Sequence, residues 1–297
     1  MHNRNTRADV LLLIVATIWG LAFVAQRMGM DHLGPFGFNA ARFLLGAVSL
    51  LPLLLIFKPA KQDNFSALTK GGALAGFVLF MGATLQQAGL VYTTASNAGF
   101  ITGLYIMLVP FFGLAIGERT QSNTWIGAAL GVVGLYLLSV NEALSINPGD
   151  LLVLAGAGAW AVHVLLLSRL APRFDNLRLA ISQFLVCAVL SGIAAILFEW
   201  ETLQFNNFSA TLGPIIYAGL FSVGIAYTLQ VVAQKDAPPS HAAIIMSLEA
   251  VFAALGGWLL LSEQLNSREL MGCGLMLAGM LISQLPLKKL FRQSQQV

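Results

Sequence analysis

Two charged side chains stand inside long apolar runs, where an ionisable group needs a purpose. Glu249 lies near the middle of one run, and Arg42 lies in the outer part of another. A charge at the centre of a bilayer costs about 2.5–3.5 kcal/mol on insertion scales, so it needs a partner, water or a function. Glu249 belongs to a stripe in which His241, Ile245, Glu249 and Phe252 recur at i, i+4, i+8 and i+11, one face of a helix. At an offset of 144 residues, Asn97, Ile101, Tyr105 and Leu108 form the matching face. The chemistry expected of these faces is cavity lining, with Glu249 able to take and release a proton. The plainer alternative is polar glue, with Glu249 bonded internally to Tyr105 or another helix.

The other polar residues in apolar runs extend this pattern. The guanidinium of Arg42 suits bidentate capture of a carboxylate, or it snorkels toward the outer interface. His163 offers a proton relay or a substrate contact, against a neutral imidazole bonded within the bundle. Trp19 and Trp160 each stand about ten residues into a run, too deep for an interfacial belt, so they wall a cavity or pack a core. Gln86 with Gln87, and Tyr227 with Gln230, hydrogen-bond without carrying charge. That suits zwitterions or neutral metabolites, and it suits interhelical glue equally.

The elements that must position these residues are membrane helices. Hydrophobic residues make up 57% of the 297, charged ones 10%, and the mean hydropathy is +0.78. A soluble domain carries about 25% charge. Ten apolar runs fit a hydrocarbon core roughly 30 Å thick: 10–28, 35–57, 70–92, 96–116, 123–140, 150–168, 177–198, 210–232, 239–261 and 267–286. Backbone groups in lipid must be paired within the segment, so these are helices. Neither Cys187 nor Cys273 implies a disulfide or a metal site, since both fall inside runs.

The chain also repeats itself. Asp9, Trp19 and Phe43 recur as Asp150, Trp160 and Phe184 at an offset of 141, and Thr84, Gln86 and Ser96 as Thr228, Gln230 and Ser240 at 144. Glu118, Gly127 and Gly134 recur as Glu263, Gly272 and Gly279 at 145. The expected organisation is a five-helix repeat over 9–140, a second over 150–286, and a basic cytoplasmic tail, 287–297. With the N-terminus cytoplasmic, thirteen of the sixteen Lys and Arg residues fall inside; Arg27 and Arg268 fall outside, and Arg42 within a span. This obeys the positive-inside rule and leaves both termini cytoplasmic. Five helices per repeat is an odd number, so the halves enter the membrane from opposite sides, as in secondary transporters.

The glycines have a packing role. Gly99 with Gly103, and Gly127 with Gly131, are small-xxx-small pairs, and Gly134, Gly272 and Gly279 continue the habit. They serve the interior of a monomer or the seam of a homodimer. No Walker motif or Gly-rich strand–helix turn is present to bind nucleotide.

On these features the sequence resembles the EamA-type permeases of the drug/metabolite transporter superfamily over residues 9–286. The residues that carry the likeness are Trp19-Gly20, Ala41-Arg42-Phe43, Ser247-Leu248-Glu249, Glu263, and Gly272 through Gly279. Their first-half equivalents are Gly103 to Pro110, Gly117-Glu118, and Gly127 to Gly134. Family members usually have Pro after the Glu of helix 9, where this chain has Ala250. The resemblance implies a proton-motive or facilitative carrier of small organic solutes, often exporting amino acids or related metabolites. It implies a substrate path among helices 1, 3, 4, 6, 8 and 9.

The expectation is therefore an all-α secondary transporter of the inner membrane. It uses no cofactor, metal or catalytic residue, and its partners are a small-molecule substrate and lipid, not nucleic acid. Proton coupling, if present, falls to Glu249 and His163. An intramembrane enzyme or a non-transporting scaffold is the alternative, but no nucleophile motif supports the first. A scaffold would not need a polar stripe in both halves.

Overall fold

A computed structural model describes residues 2–56, 64–118, 120–139, 147–262 and 267–284. The tail 287–297, Glu263 and the loop cations Lys58, Lys61 and Arg119 lie outside the described residues. Every regular element described is a helix. In chain order these are α1 (His2–Gly29), α2 (Pro35–Ile56), α3 (Phe65–Leu90), α4 (Ala95–Gly103) and α5 (Tyr105–Ala115). Then come α6 (Ser122–Ser139), α7 (Pro148–Leu170), α8 (Asn176–Phe198), α9 (Phe205–Ala210) and α10 (Leu212–Ile216). A π-helical stretch, Tyr217–Tyr227, leads into α11 (Thr228–Gln234), α12 (Pro239–Met246), α13 (Glu249–Leu261) and α14 (Ser267–Gln284). Among the described residues, eight stretches are long and apolar enough to cross a membrane. The remaining long helices, α6 and α14, have 18 residues each and pack against one another.

Two of the runs expected as single helices are broken, and at the same place. Leu104 separates α4 from α5, and Ser247 with Leu248 separates α12 from α13. Each break is one tight turn closed by i→i+3 bonds. The N–H of Leu104 donates to Ile101 O at 3.1 Å and that of Met107 to Leu104 O at 3.0 Å; in the second half Leu248 donates to Ile245 O at 3.2 Å and Ala250 to Ser247 O at 3.1 Å. These positions correspond at an offset of 144. The second break needs no proline: Ser247 Oγ donates to Ile244 O at 2.8 Å, competing for a helix carbonyl.

Four helix starts are capped locally. Asn64, Thr94, Asn147 and Asp175 each accept an N–H from the first turn of α3, α4, α7 and α8. At α2, which follows Gly34, the preceding residue has no side chain to cap it. Glu199, at the far end of α8, supplies the acceptor instead: Phe36 N–H donates to Oε1 at 3.1 Å and Gly37 N–H to Oε2 at 2.9 Å. Burial pushes the Glu199 carboxyl above its usual range, and those two donors pull it part of the way back.

Glycines set the closest helix crossings. A Cβ on Gly134 would lie 2.6 Å from Gly272 O, and one on Gly279 would lie 2.6 Å from Gly127 O. The two contacts exchange under the repeat offset of 145. The glycines of α6 and α14 are thus used against each other inside the chain. Gly20 does the same on α1, where a Cβ would sit 2.6 Å from Glu249 O. That close approach lets Trp19, its neighbour, reach the space beside Glu249.

Candidate functional site

Helices α1, α2, α3, α4, α5, α7, α11, α12 and α13 and the π-helical stretch converge on one central cavity. Its wall includes Trp19, Arg42, Gln86, Tyr105, Trp160, Tyr227, Gln230 and Glu249, eight of the eleven residues expected from sequence to line it. The free volume is about 30 Å³, room for a water or two. A metabolite enters only if helices part.

The aromatic side of the cavity is organised around Tyr227. Its ring centroid lies 4.6 Å from that of Trp19 and 6.1 Å from that of Trp160, with Phe43 at 6.1 Å and Phe184 at 6.0 Å. Tyr227 ends the π-helical stretch, whose wide turns expose backbone carbonyls sideways. Trp19 Nε1 donates to one of them, Ser222 O, at 3.2 Å, and Tyr217 Oη donates back to Ile18 O at 3.2 Å. These reciprocal bonds fix α1 against the stretch and hold the Trp19 indole on the cavity wall.

Arg42 is 1% exposed and forms no ion pair among the described residues. Its Nε donates to Asn39 Oδ1 at 2.9 Å, and its guanidinium lies 4.9 Å from the Phe43 ring centroid and 5.7 Å from that of Phe38. Nη2 has no partner. The snorkelling alternative is therefore not the arrangement seen, since the head group is buried and lines the cavity. Glu249, the first residue of α13, is 3% exposed, and its Oε1 has no hydrogen-bond partner. The Tyr105 phenol, first residue of α5, stands beside that carboxyl, and its Oη also completes no well-formed bond. A cation and an acid thus share one cavity without pairing with each other.

The two repeat-related glutamines differ. Gln86 Nε2 donates to Gln26 Oε1 at 3.0 Å, while its Oε1 accepts from Trp160 Nε1 at 2.9 Å and Thr102 Oγ1 at 3.4 Å. It ties α1, α3, α4 and α7 together. Gln230, its counterpart at 144, leaves Oε1 without a partner on the same cavity. The reason lies in the neighbours: of the two donors to Gln86 Oε1, Thr102 has Met246 as its counterpart, which cannot donate, and Trp160 has Trp19, whose Nε1 donates to Ser222 O instead. Gln86→Leu is expected to lower the melting temperature markedly, because it strands the Trp160 indole and Gln26. Gln230→Leu is expected to leave the melting temperature nearly unchanged and to raise substrate KM by about tenfold, worth about 1.4 kcal/mol. Thermal unfolding in detergent and transport kinetics, run side by side, check both.

Three expected lining residues lie elsewhere. His163 is fully buried behind the aromatic wall, with Nε2 2.9 Å from Gln183 Oε1 and its ring edge against Trp160 and Tyr227. An amide oxygen only accepts, so Nε2 carries the proton. His241 sits at the rim, 2.8 Å from Asp9 Oδ1. Asn97 lies in the first turn of α4, where its N–H serves the Thr94 cap. Conversely, Gln26 and Thr102 belong to the wall and were not anticipated. Gln26 was findable, being polar and two helical turns beyond Trp19 on the same face.

The fold and cavity define a multi-pass helical membrane protein with a small central cavity that polar and aromatic side chains line. The model of the EamA-like transporter family matches residues 6–140 and again 147–284, and the chain belongs to that family, within the drug/metabolite transporter superfamily. An uncharacterized transporter of Archaeoglobus fulgidus is 32% identical over 279 residues, covering 94% of this chain and 86% of its own. The uncharacterized inner membrane transporter YedA of Escherichia coli K12 is 26% identical over 279 residues, covering 91% and 88%. A solved crystal structure superposes with a TM-score of 0.76 at 20% identity, covering 95% of this chain and 98% of that one, and shares its fold.

Proposed function

We propose that the protein is a secondary transporter of the bacterial inner membrane that moves small organic metabolites, probing them with one central site by alternating access. The observation that carries this reading is a single cavity on which Arg42 Nη2 and Gln230 Oε1 have no hydrogen-bond partner and the Glu249 carboxyl has only the Tyr105 phenol beside it. Polar atoms in a low-dielectric interior are paired unless something else pairs with them. A guanidinium with a free donor, and a carboxyl and an amide with free acceptors, together match a molecule bearing both an anionic and a cationic pole. Amino acids and drug-like compounds of that kind are the substrate class, and export is the direction.

In this reading the ten spans form two inverted five-helix repeats with both termini cytoplasmic. The packing supports it. The α3–α7 contact has its counterpart in the contact of α1 with the π-helical stretch and α11; α2–α8 and α6–α14 are each their own counterpart. The matched breaks at Leu104 and Leu248 and the exchanged glycine contacts follow the same symmetry.

The test is labelling and flux. In a background lacking Cys187 and Cys273, a cysteine introduced by Tyr105→Cys should react with membrane-impermeant thiol reagents from either side, with substrate altering the rates. Labelling from neither side overturns alternating access. A metabolite-export screen of an overexpressing strain, followed by flux in proteoliposomes, identifies the cargo.

A further inference from the structure

We infer that two repeat-related contacts, Asp9 with His241 and Asp150 with Thr93, are the latches that hold the two mouths of the central cavity shut. The inference rests on the inverted-repeat carrier reading above. Asp9 and Asp150 correspond at an offset of 141, and each stands ten residues before the tryptophan of its helix, Trp19 on α1 and Trp160 on α7. Ten residues are ~15 Å of helix rise, which separates the cavity wall from its rim. Because the halves are inverted, the two rims lie on opposite sides of the membrane.

Each carboxylate reaches across the seam to the partner helix at its own rim. Asp9 Oδ1 lies 2.8 Å from His241 Nε2 on α12, and Asp150 Oδ1 accepts from Thr93 Oγ1, just ahead of α4, at 2.7 Å. The elements that carry the partners are equivalent, α4 to α12, but the partners are not: the counterpart of His241 is Asn97 and that of Thr93 is Ala237. Duplication therefore kept the acid and rebuilt the other half of the bond separately at each mouth. A second polar contact stands beside each latch. Thr120 Oγ1 lies 3.3 Å from Ser240 Oγ at the inner rim, and Asn147 Nδ2 donates to Tyr92 O at the outer.

The levers for opening are built into the same elements. α12 has eight residues and α4 has nine, and each lies between its latch and the tight turn that separates it from α13 or α5. A short segment hinged at Leu248 or Leu104 swings away at the rim while α13 and α5 keep Glu249 and Tyr105 in place. In this structure both contacts are made and the free volume of the cavity is only about 30 Å³, the combination expected when both mouths are latched. Breaking the inner contact frees α1 from α12, and breaking the outer one frees α7 from the start of α4.

The experiment uses the full chain in oriented vesicles, with Tyr105→Cys as the reporter in the Cys187→Ala, Cys273→Ala background and an impermeant maleimide applied from one side at a time. Asp9→Ala or His241→Ala should raise labelling from the cytoplasmic side several-fold and lower it from the outside. Asp150→Ala or Thr93→Val should do the reverse. Asp9→Cys combined with His241→Cys, joined by a short reducible thiol crosslinker, should abolish cytoplasmic labelling of the reporter at 105, and reductant should restore it. Reversal by reductant separates a locked mouth from a misfolded variant. Side-independent changes, or none, overturn the latches while leaving the carrier reading intact. A parent reporter labelled from neither side overturns both.

Discussion

Arg42→Met should make the protein more stable and leave it unable to transport. The guanidinium is enclosed, bonded only to Asn39 through Nε, faced by two aromatic rings, and not paired with a carboxylate among the described residues. Replacing buried ionic groups by apolar side chains of similar volume is often neutral or stabilising by about 1–4 kcal/mol. A positive change in melting temperature is therefore expected from methionine, which fills much of the same volume. Transport should fall at least ~100-fold in kcat/KM, about 2.7 kcal/mol, because the free donor is lost. Arg42→Lys should recover only part of it, since a point charge on a flexible stem cannot reproduce the planar fork. Detergent thermal melts and proteoliposome flux decide the matter. A destabilised methionine variant with normal flux would make Arg42 a structural residue held by Asn39 and the rings.

How much of this arrangement could be read from the sequence depended on what kind of information each feature carries. Span positions are set by apolar length: the expected 177–198 became α8 within one residue at each end, and the expected 35–57 starts where α2 starts. The helix breaks were not legible in the same way. The break at Leu104 follows Gly103, but the break at Leu248 precedes Ala250, and neither alters local hydropathy. The stripe through His241, Ile245 and Glu249 assumed one continuous helix. Eight residues, ~12 Å of rise, set His241 at the rim and Glu249 at the centre, and the tight turn at Ser247 and Leu248 lies between them.

Polarity inside a span marks a residue as unusual without saying which neighbour it faces. Trp160 and His163 lie one turn apart, yet Trp160 turns to the cavity and His163 to Gln183 on α8. That difference is made by the packing of both α7 and α8 against α3, long-range contacts with no local signature. The glutamines carry the same lesson. Gln86 and Gln230 are the same residue at matching places, and only the surrounding partners, the acceptor Gln26 and the donors Thr102 and Trp160 against Leu167, Met246 and a Trp19 turned to Ser222 O, make one a structural tie and the other an open acceptor. The asymmetry between the copies was readable; its meaning required the packing.

Glu249→Gln should separate driven transport from passive exchange. Glutamine keeps the shape of the side chain and one carbonyl oxygen but cannot bind and release a proton at any working pH. The carboxyl stands at the start of α13, beside the Tyr105 phenol, on the cavity that also holds Arg42 and yet unpaired with it. An acid already neutralised by a fixed cation would have little reason to exchange protons; one left unpaired must either be protonated or meet a cationic group of the cargo. Both options link a proton to the occupancy of the site, because cargo and proton compete for the same oxygen. Accumulation driven by a pH gradient is therefore expected to drop to background in the glutamine variant, while substrate counterflow at equal pH persists, lowered by about tenfold or less (about 1.4 kcal/mol), because the amide oxygen still accepts from the cationic pole of the cargo. His163→Gln should not reproduce this split, since the imidazole lies behind the aromatic wall and outside the cavity. Gradient-driven accumulation that survives Glu249→Gln removes Glu249 from coupling. Loss of counterflow along with it would instead make the carboxyl a substrate ligand whose charge, and not its proton, is what transport uses.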